Sequence, residues 1–138
     1  MATHGYNPIQ SDQSLSLPAG DTGYSADMTY VGATNGKQRL LMIAQNAVEV
    51  ATGDAISIEF VYGATADPTT NKKTANHIYL LHKTIADAGL AYAAGAVMID
   101  MDLPEALMAA GDHFRLKITT DADESDDDVD VLLVSWGD

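Results

Sequence analysis

The stretch Ala55-Ile56-Ser57-Ile58-Glu59-Phe60-Val61-Tyr62 decides the fold class. Ile56, Ile58, Phe60 and Tyr62 share one parity; Ser57, Glu59 and Val61 share the other. Successive side chains of a strand point to opposite faces, so this is a strand with one face on a core. Working outward, the same alternation recurs. On the N-terminal side, Tyr24, Ala26, Met28 and Tyr30 alternate with Ser25, Asp27 and Thr29, and Asn35-Gly36 supplies a turn. The run Leu40-Leu41-Met42-Ile43-Ala44 is compatible with helix or buried strand. Its shortness and lack of a cap favour a strand over 39–45, continuing to 50 after a bulge at Asn46-Ala47. A brief alternation at Ser14-Leu15-Ser16-Leu17 stops at Pro18-Ala19-Gly20-Asp21.

On the C-terminal side, strands are expected over 77–83, 96–103, 113–120 and 129–136. In the second, Val97, Ile99, Met101 and Leu103 would face inward; Met98, Asp100 and Asp102 would face outward. In the third, Phe114, Leu116 and Ile118 would face the core. The last strand is apolar on both faces near its end, as a central or partner-covered strand is. Residues 85–95 form a loop or one short helical turn. Residues 104–111, with proline at the start and glycine at the end, predict a short helix. About eight short strands with turns between them and one short helix predict an all-β protein. The expected architecture is an antiparallel, jelly-roll-like β-sandwich. Residues 1–12 are polar and turn-rich and predict a flexible N-terminal arm on a single sandwich domain over 13–138.

Composition narrows the function. The chain has 138 residues, 46% of them hydrophobic, which supports one packed domain. No apolar run nears the roughly 20 residues of a membrane-spanning helix. The start, Met1-Ala2-Thr3-His4-Gly5-Tyr6-Asn7-Pro8, lacks the basic-then-apolar pattern of a secretory signal. No cysteine is present, which excludes disulfides, thiol catalysis and cysteine-ligated metals. With 20 acidic against 7 basic residues the formal charge is −13, so phosphate backbones should be repelled. Such a surface is solvated, or matched to a basic partner or to cations.

Motifs for catalysis fall short. The acidic run 121–128 places Asp121, Asp123 and Ser125 at the first three spacings of a calcium loop. Asp126 then stands where the turn needs glycine, and Leu132 where a bidentate glutamate belongs. The plainer expectation is a solvated hairpin tip. His77 and His82, five apart, would face opposite ways on a strand, and His113 reads as a turn residue. No Gly-x-Ser-x-Gly nucleophile motif occurs, and Gly32-Ala33-Thr34-Asn35-Gly36 lacks the lysine and helix of a phosphate loop. Asp100 and Asp102 share a strand face, with nothing converging on them. Trp136 with Tyr24, Tyr30, Tyr62, Tyr79 and Tyr92 would make either a sugar-stacking platform or core. No enzyme activity and no cofactor are expected.

The polar arm, the acidic cysteine-free chain, the Ala-Gly-Thr-rich loops and the strands Phe114-Arg115-Leu116-Lys117-Ile118-Thr119-Thr120 and Val129-Asp130-Val131-Leu132-Leu133-Val134 together resemble capsid decoration (cement) proteins of tailed bacteriophages. The resemblance covers most of the chain. It implies a homo-oligomer, often a trimer, bound to the major capsid protein on the outside of a head shell. Within the arm, Thr3, His4, Tyr6, Pro8 and Ile9 are the expected partner contacts, by ordering on a neighbour's strand edge. The acidic tip would then point to solvent. The alternative is a carbohydrate-binding sandwich of a phage fibre or secreted protein. A cupin-like enzyme barrel would need a histidine–glutamate cluster, and that spacing is absent.

Overall fold

The structure, a computed structural model, describes residues 6–32, 38–69, 76–83 and 90–136, with side chains at 9–32, 38–69 and 90–135. It is all-β and antiparallel. The strands are β1 (Tyr6–Ser16), β2 (Thr22–Tyr24), β3 (Met28–Thr29), β4 (Gln38–Ala44), β5 (Val48–Val50), β6 (Ile56–Gly63), β7 (Asn76–Lys83), β8 (Leu90–Tyr92), β9 (Val97–Asp102), β10 (His113–Thr120) and β11 (Asp128–Trp136). One sheet has the order β1-β11-β4-β9. The other has the order β2-β10-β6-β7, with β3 also on β10. Taking β2 and β3 as one interrupted strand, the eight principal strands cross from one sheet to the other at every connection except β6 to β7, which is the jelly-roll order. A two-stranded ribbon of β5 and β8 is added at one end.

The core is the sum of the inward parities. From β6 come Ile56, Ile58, Phe60 and Tyr62; from β10, Phe114, Leu116 and Ile118; from β4, Leu40, Met42 and Ala44; from β11, Val129, Val131 and Leu133. Phe60 is fully buried, with its ring 5.5 Å from Tyr62 and 5.6 Å from Phe114. Burying such rings contributes roughly 2–3 kcal/mol each, so the alternation that reveals the strands also stabilises the sandwich. Val48 and Val50 of the ribbon join the same cluster.

Several expectations are corrected. Residues 6–12 are not an arm but the first part of β1, an edge strand paired with β11 from Tyr6↔Trp136 to Ser16↔Asp128. Its apolar positions are too few to show, because two irregularities break the alternation. At one of them Ser14 takes a φ of 55°, and its N–H donates to Asp130 Oδ1 at 2.9 Å. The strand expected over 24–31 is split into β2 and β3, since buried Ser25 turns its hydroxyl to accept Leu116 N–H at 2.8 Å. The strand expected over 39–50 is β4 and β5, which belong to different sheets. Residues 90–92, expected as loop or helical turn, form β8. The helix expected over 104–111 is a single 3-10 turn, Glu105–Leu107. Val97 is exposed and Met98 buried, the reverse of the expected parity, because β9 pairs with β4 through a register shift.

The acidic run is not a hairpin tip. β10 and β11 lie in different sheets, so 121–127 is a crossover at one end of the sandwich.

Candidate functional site

The crossover is held by its own carboxylates. Thr120, buried at the end of β10, donates its hydroxyl to Pro18 O at 3.0 Å and accepts Gly20 N–H at 3.1 Å. Asp121 Oδ1 then accepts Ala55 N–H at 2.5 Å, at the entrance to β6. Asp123 Oδ1 accepts both the hydroxyl of Ser125 at 2.5 Å and its N–H at 2.9 Å, an Asx turn. Asp127 Oδ2 accepts Glu49 N–H at 3.1 Å, tying the crossover to the ribbon. Asn46 donates to Asp126 O at 3.1 Å and accepts Asp128 N–H at 2.9 Å. Asp128 Oδ1 accepts the Ser16 hydroxyl at 2.8 Å. The run is therefore built as a set of backbone acceptors.

Glu124 is different. Its backbone is engaged, donating to Pro18 O at 3.0 Å and accepting from Asp127 N–H at 3.0 Å. Its side chain has no hydrogen-bond or ionic partner among the described residues. It is only 7% exposed. It lines a pocket of about 350 Å³ together with Ala47, Glu49, Asp123, Asp126 and Asp127. Burial, and then the like charges of Asp127, Asp54, Asp121 and Asp123, push its carboxyl above the ordinary glutamate value. The Ser125 hydroxyl, followed by its N–H, holds Asp123 below the ordinary aspartate value.

The calcium-type set does not come together. Asp121 and Asp123 are aimed at Ala55 and Ser125. Among the described residues no three His, Cys, Asp or Glu side chains converge closely enough to hold a metal ion. Asp100 and Asp102 both bind Arg39, at 2.7 and 3.2 Å. His113, expected as a turn residue, opens β10 with Nδ1 2.6 Å from Asp27 Oδ2. Asp27 Oδ1 in turn accepts Asp67 N–H at 3.3 Å. Arg115 donates to Pro68 O at 2.9 Å and lies 3.8 Å over the Tyr24 ring. This knot pins residues 64–69 across β10. Among the described residues no hydroxyl is hydrogen-bonded to His113.

His77 and His82 stand opposite Val61 and Ser57 in the register, two positions on one face of β6, because of the irregularity between Ile58 and Glu59. Of the aromatic set, Tyr30 and Tyr62 are buried, Tyr92 packs on the core and Tyr24 lies under Arg115. The side chains of Tyr79 and Trp136 lie outside the description. Among the described residues, two buried polar side-chain atoms lack hydrogen-bond partners, Gln38 Oε1 and Glu59 Oε2.

Of the expected partner contacts, Thr3 and His4 lie outside the described residues. Tyr6 and Pro8 take places on β1 opposite Trp136 and Val134. Ile9 sits at the irregularity between Pro8 and Gln10, and is 41% exposed. Nearby, Gln10 donates to Thr29 O at 2.8 Å and accepts Thr29 N–H at 3.0 Å, fastening β1 to β3 of the other sheet. Sequence reasoning missed Glu49, Glu124 and Asp127 as a group. Glu124 lies in an irregular crossover, where no periodicity marks a residue as inward. Its one distinction in the sequence is being the glutamate in a run of aspartates.

No protein-family model, curated protein or solved structure matches this chain.

Proposed function

We propose that the protein is a non-enzymatic virion structural protein that binds the outside of a phage head shell as a homo-oligomer and stabilises it. The observation that carries this reading is β1. It is an edge strand of 11 residues, paired on one side with β11, and among the described residues no strand pairs with its other side. A free edge is a template for another chain, and natural proteins cover or use it. Ile9 adds an exposed apolar side chain at the bulge of that edge. The jelly-roll arrangement is shared by viral capsid domains, a fold-level analogy that supports the reading without carrying it. The aromatic residues give the carbohydrate alternative less support, since Tyr30, Tyr62, Tyr92 and Tyr24 are engaged within the fold.

The test is mass spectrometry of particles banded on a density gradient from a lysate of the source. The expected result is co-banding at a copy number in simple proportion to the main shell protein. A few copies per particle would make it a tail or fibre component, and absence from particles would overturn the virion reading. The edge is tested on the same particles with Ile9→Asp. Loss of binding at unchanged melting temperature is expected.

A further inference from the structure

We infer that the pocket between the ribbon and the 121–127 crossover is a binding site for an arginine side chain presented by a partner protein. It is walled by Glu49, Asp123, Glu124, Asp126 and Asp127. Most carboxylates of this end are used by the fold, but the pocket retains free acceptors. Asp127 spends Oδ2 on Glu49 N–H, and Asp123 spends Oδ1 on Ser125. Neither has a described donor at its other oxygen. Asp126 engages Asn46 through its backbone carbonyl, not its side chain. Glu124 is only 7% exposed as a residue, and its carboxylate oxygens, which have no protein partner among the described residues, meet the water of the pocket. A carboxylate with most of its surface out of water and like charges around it is less well solvated than a free one, and a bound cation offsets that. The chain does not supply that cation from its described arginines: Arg39 lies on Asp100 and Asp102, and Arg115 on Asp67 and Pro68.

The shape of the set selects the kind of cation. A bare calcium ion needs six to eight oxygens at about 2.3–2.6 Å from one point. The described carboxylates do not converge in that way. A guanidinium presents five N–H donors in a plane, reaching acceptors spread over a wider area through charge-assisted bonds of about 2.7–2.9 Å. A volume of about 350 Å³ has ample room for a guanidinium and its aliphatic stem. The inference stands apart from the shell reading, because the pocket would take an arginine from any protein whose surface fits beside it.

The test is an NMR titration of the ¹⁵N-labelled full chain with N-acetyl-arginine amide, and separately with calcium chloride. The expected result is saturable shifts confined to amides of 47–49 and 123–127, with affinity falling about tenfold in Glu124→Gln. Asp126→Asn, an exposed position, should weaken binding to a lesser degree. Asp21→Asn, outside the pocket, should leave it unchanged. N-acetyl-lysine amide should bind more weakly than the arginine derivative. Absence of saturable shifts, or shifts unaffected by both pocket variants, would overturn the inference. So would calcium saturating the pocket where the arginine derivative does not, since the site would then be a metal site.

Discussion

The two ends of the sandwich, roughly 26 Å apart along the eight residues of β10, are finished in opposite ways. At the end where β10 stops, the crossover to β11 is acidic and its carboxylates accept backbone N–H groups from three separate segments: Ala55, Glu49 and Ser125. At the end where β10 starts, the 105–112 turn is apolar and its backbone largely satisfies itself, beside the polar knot of His113, Asp27, Asp67 and Arg115. Tyr30 N–H donates to Asp112 O, Gly111 N–H donates to Tyr30 O, and Gly111 takes the positive φ of 93° that the turn requires. Asp112 Oδ2 accepts Ala109 N–H at 2.9 Å. Around this turn Val31 and Leu107 are 50% and 68% exposed. Backbone N–H groups at the first end are taken up largely by carboxylates, and those at the second by carbonyls together with Asp27 and Asp112. Glu124 has no such task, and it is the least exposed of the acidic residues around the pocket. A group that contributes nothing to the fold and is buried among like charges is where binding should be sought.

The largest effect should come from a change that both ends share. Phe60→Ala in the middle of the core is expected to cost about 3–5 kcal/mol. Hydrogen exchange should then accelerate together at 121–127 and at 105–112. Acceleration at one end alone would show that the ends belong to separate cooperative units and would break the comparison.

The second effect is confined to the acidic end. Asp121→Ala removes the acceptor of Ala55 N–H, and hydrogen bonds to charged groups contribute about 1.5–3 kcal/mol. Relief of repulsion on Glu124 offsets part of this, so a loss of about 1.5 kcal/mol in urea unfolding is expected. Asp121→Asn keeps an acceptor and removes the charge, so it should lose less than Asp121→Ala. Equal losses would mean that the hydrogen bond contributes little.

The contrast between the ends also separates what was legible in the sequence from what was not. Ile56, Ile58, Phe60 and Tyr62, and Phe114, Leu116 and Ile118, revealed the sandwich because a strand buried on one face must alternate. The all-β class follows from such strands, and their number and long connections favoured a jelly roll over a meander. The irregular places were hidden. β1 has left-handed Ser14 in its interior, and it is tied to the segment 26–29 by the polar side chains of Gln10 and Asp12, so its first half read as an arm. Val97 misread because a register shift leaves no trace in composition. The crossover misread because β10 and β11 are adjacent in sequence, and sheet membership is a long-range property. The pocket was illegible for the same reason: Glu49 reaches it from a ribbon more than seventy residues away in sequence.

Glu124→Gln sharpens the comparison through pH. Its carboxyl titrates above its ordinary value of 4.5 in the folded chain, chiefly because of burial and then because of Asp127 and its neighbours. A proton therefore binds the native state more tightly than the unfolded one. That stabilising contribution is fully present below the unfolded value and is lost as pH rises through the folded one. Above the folded value the wild-type chain carries this charge without a protein partner. The glutamine variant does not, and should be more stable by about 1 kcal/mol, a rise of about 3 °C in melting temperature. Below about pH 4, where wild-type Glu124 is protonated in both states, the two should melt alike. A stability gain that persists undiminished at low pH would mean that packing, not charge, is what the substitution improves.

The smallest effect belongs to the apolar end. Leu107 lies on the 3-10 turn with 68% of its surface exposed, and Leu107→Ser removes little buried area. A change within about 0.5 kcal/mol is expected, since surface substitutions away from caps, cavities and buried networks rarely do more. The same substitution should leave the arginine-derivative titration of the opposite end unaltered, because sites more than about 10 Å apart with no shared partners add independently. The informative result would be a large loss. It would mean that Leu107 is covered in solution, by a second copy of the chain or by the chain itself, and that the apolar end is an interface and not a free tip. Sedimentation velocity on the wild type and the variant tells these apart, since only a covering copy changes the sedimenting mass.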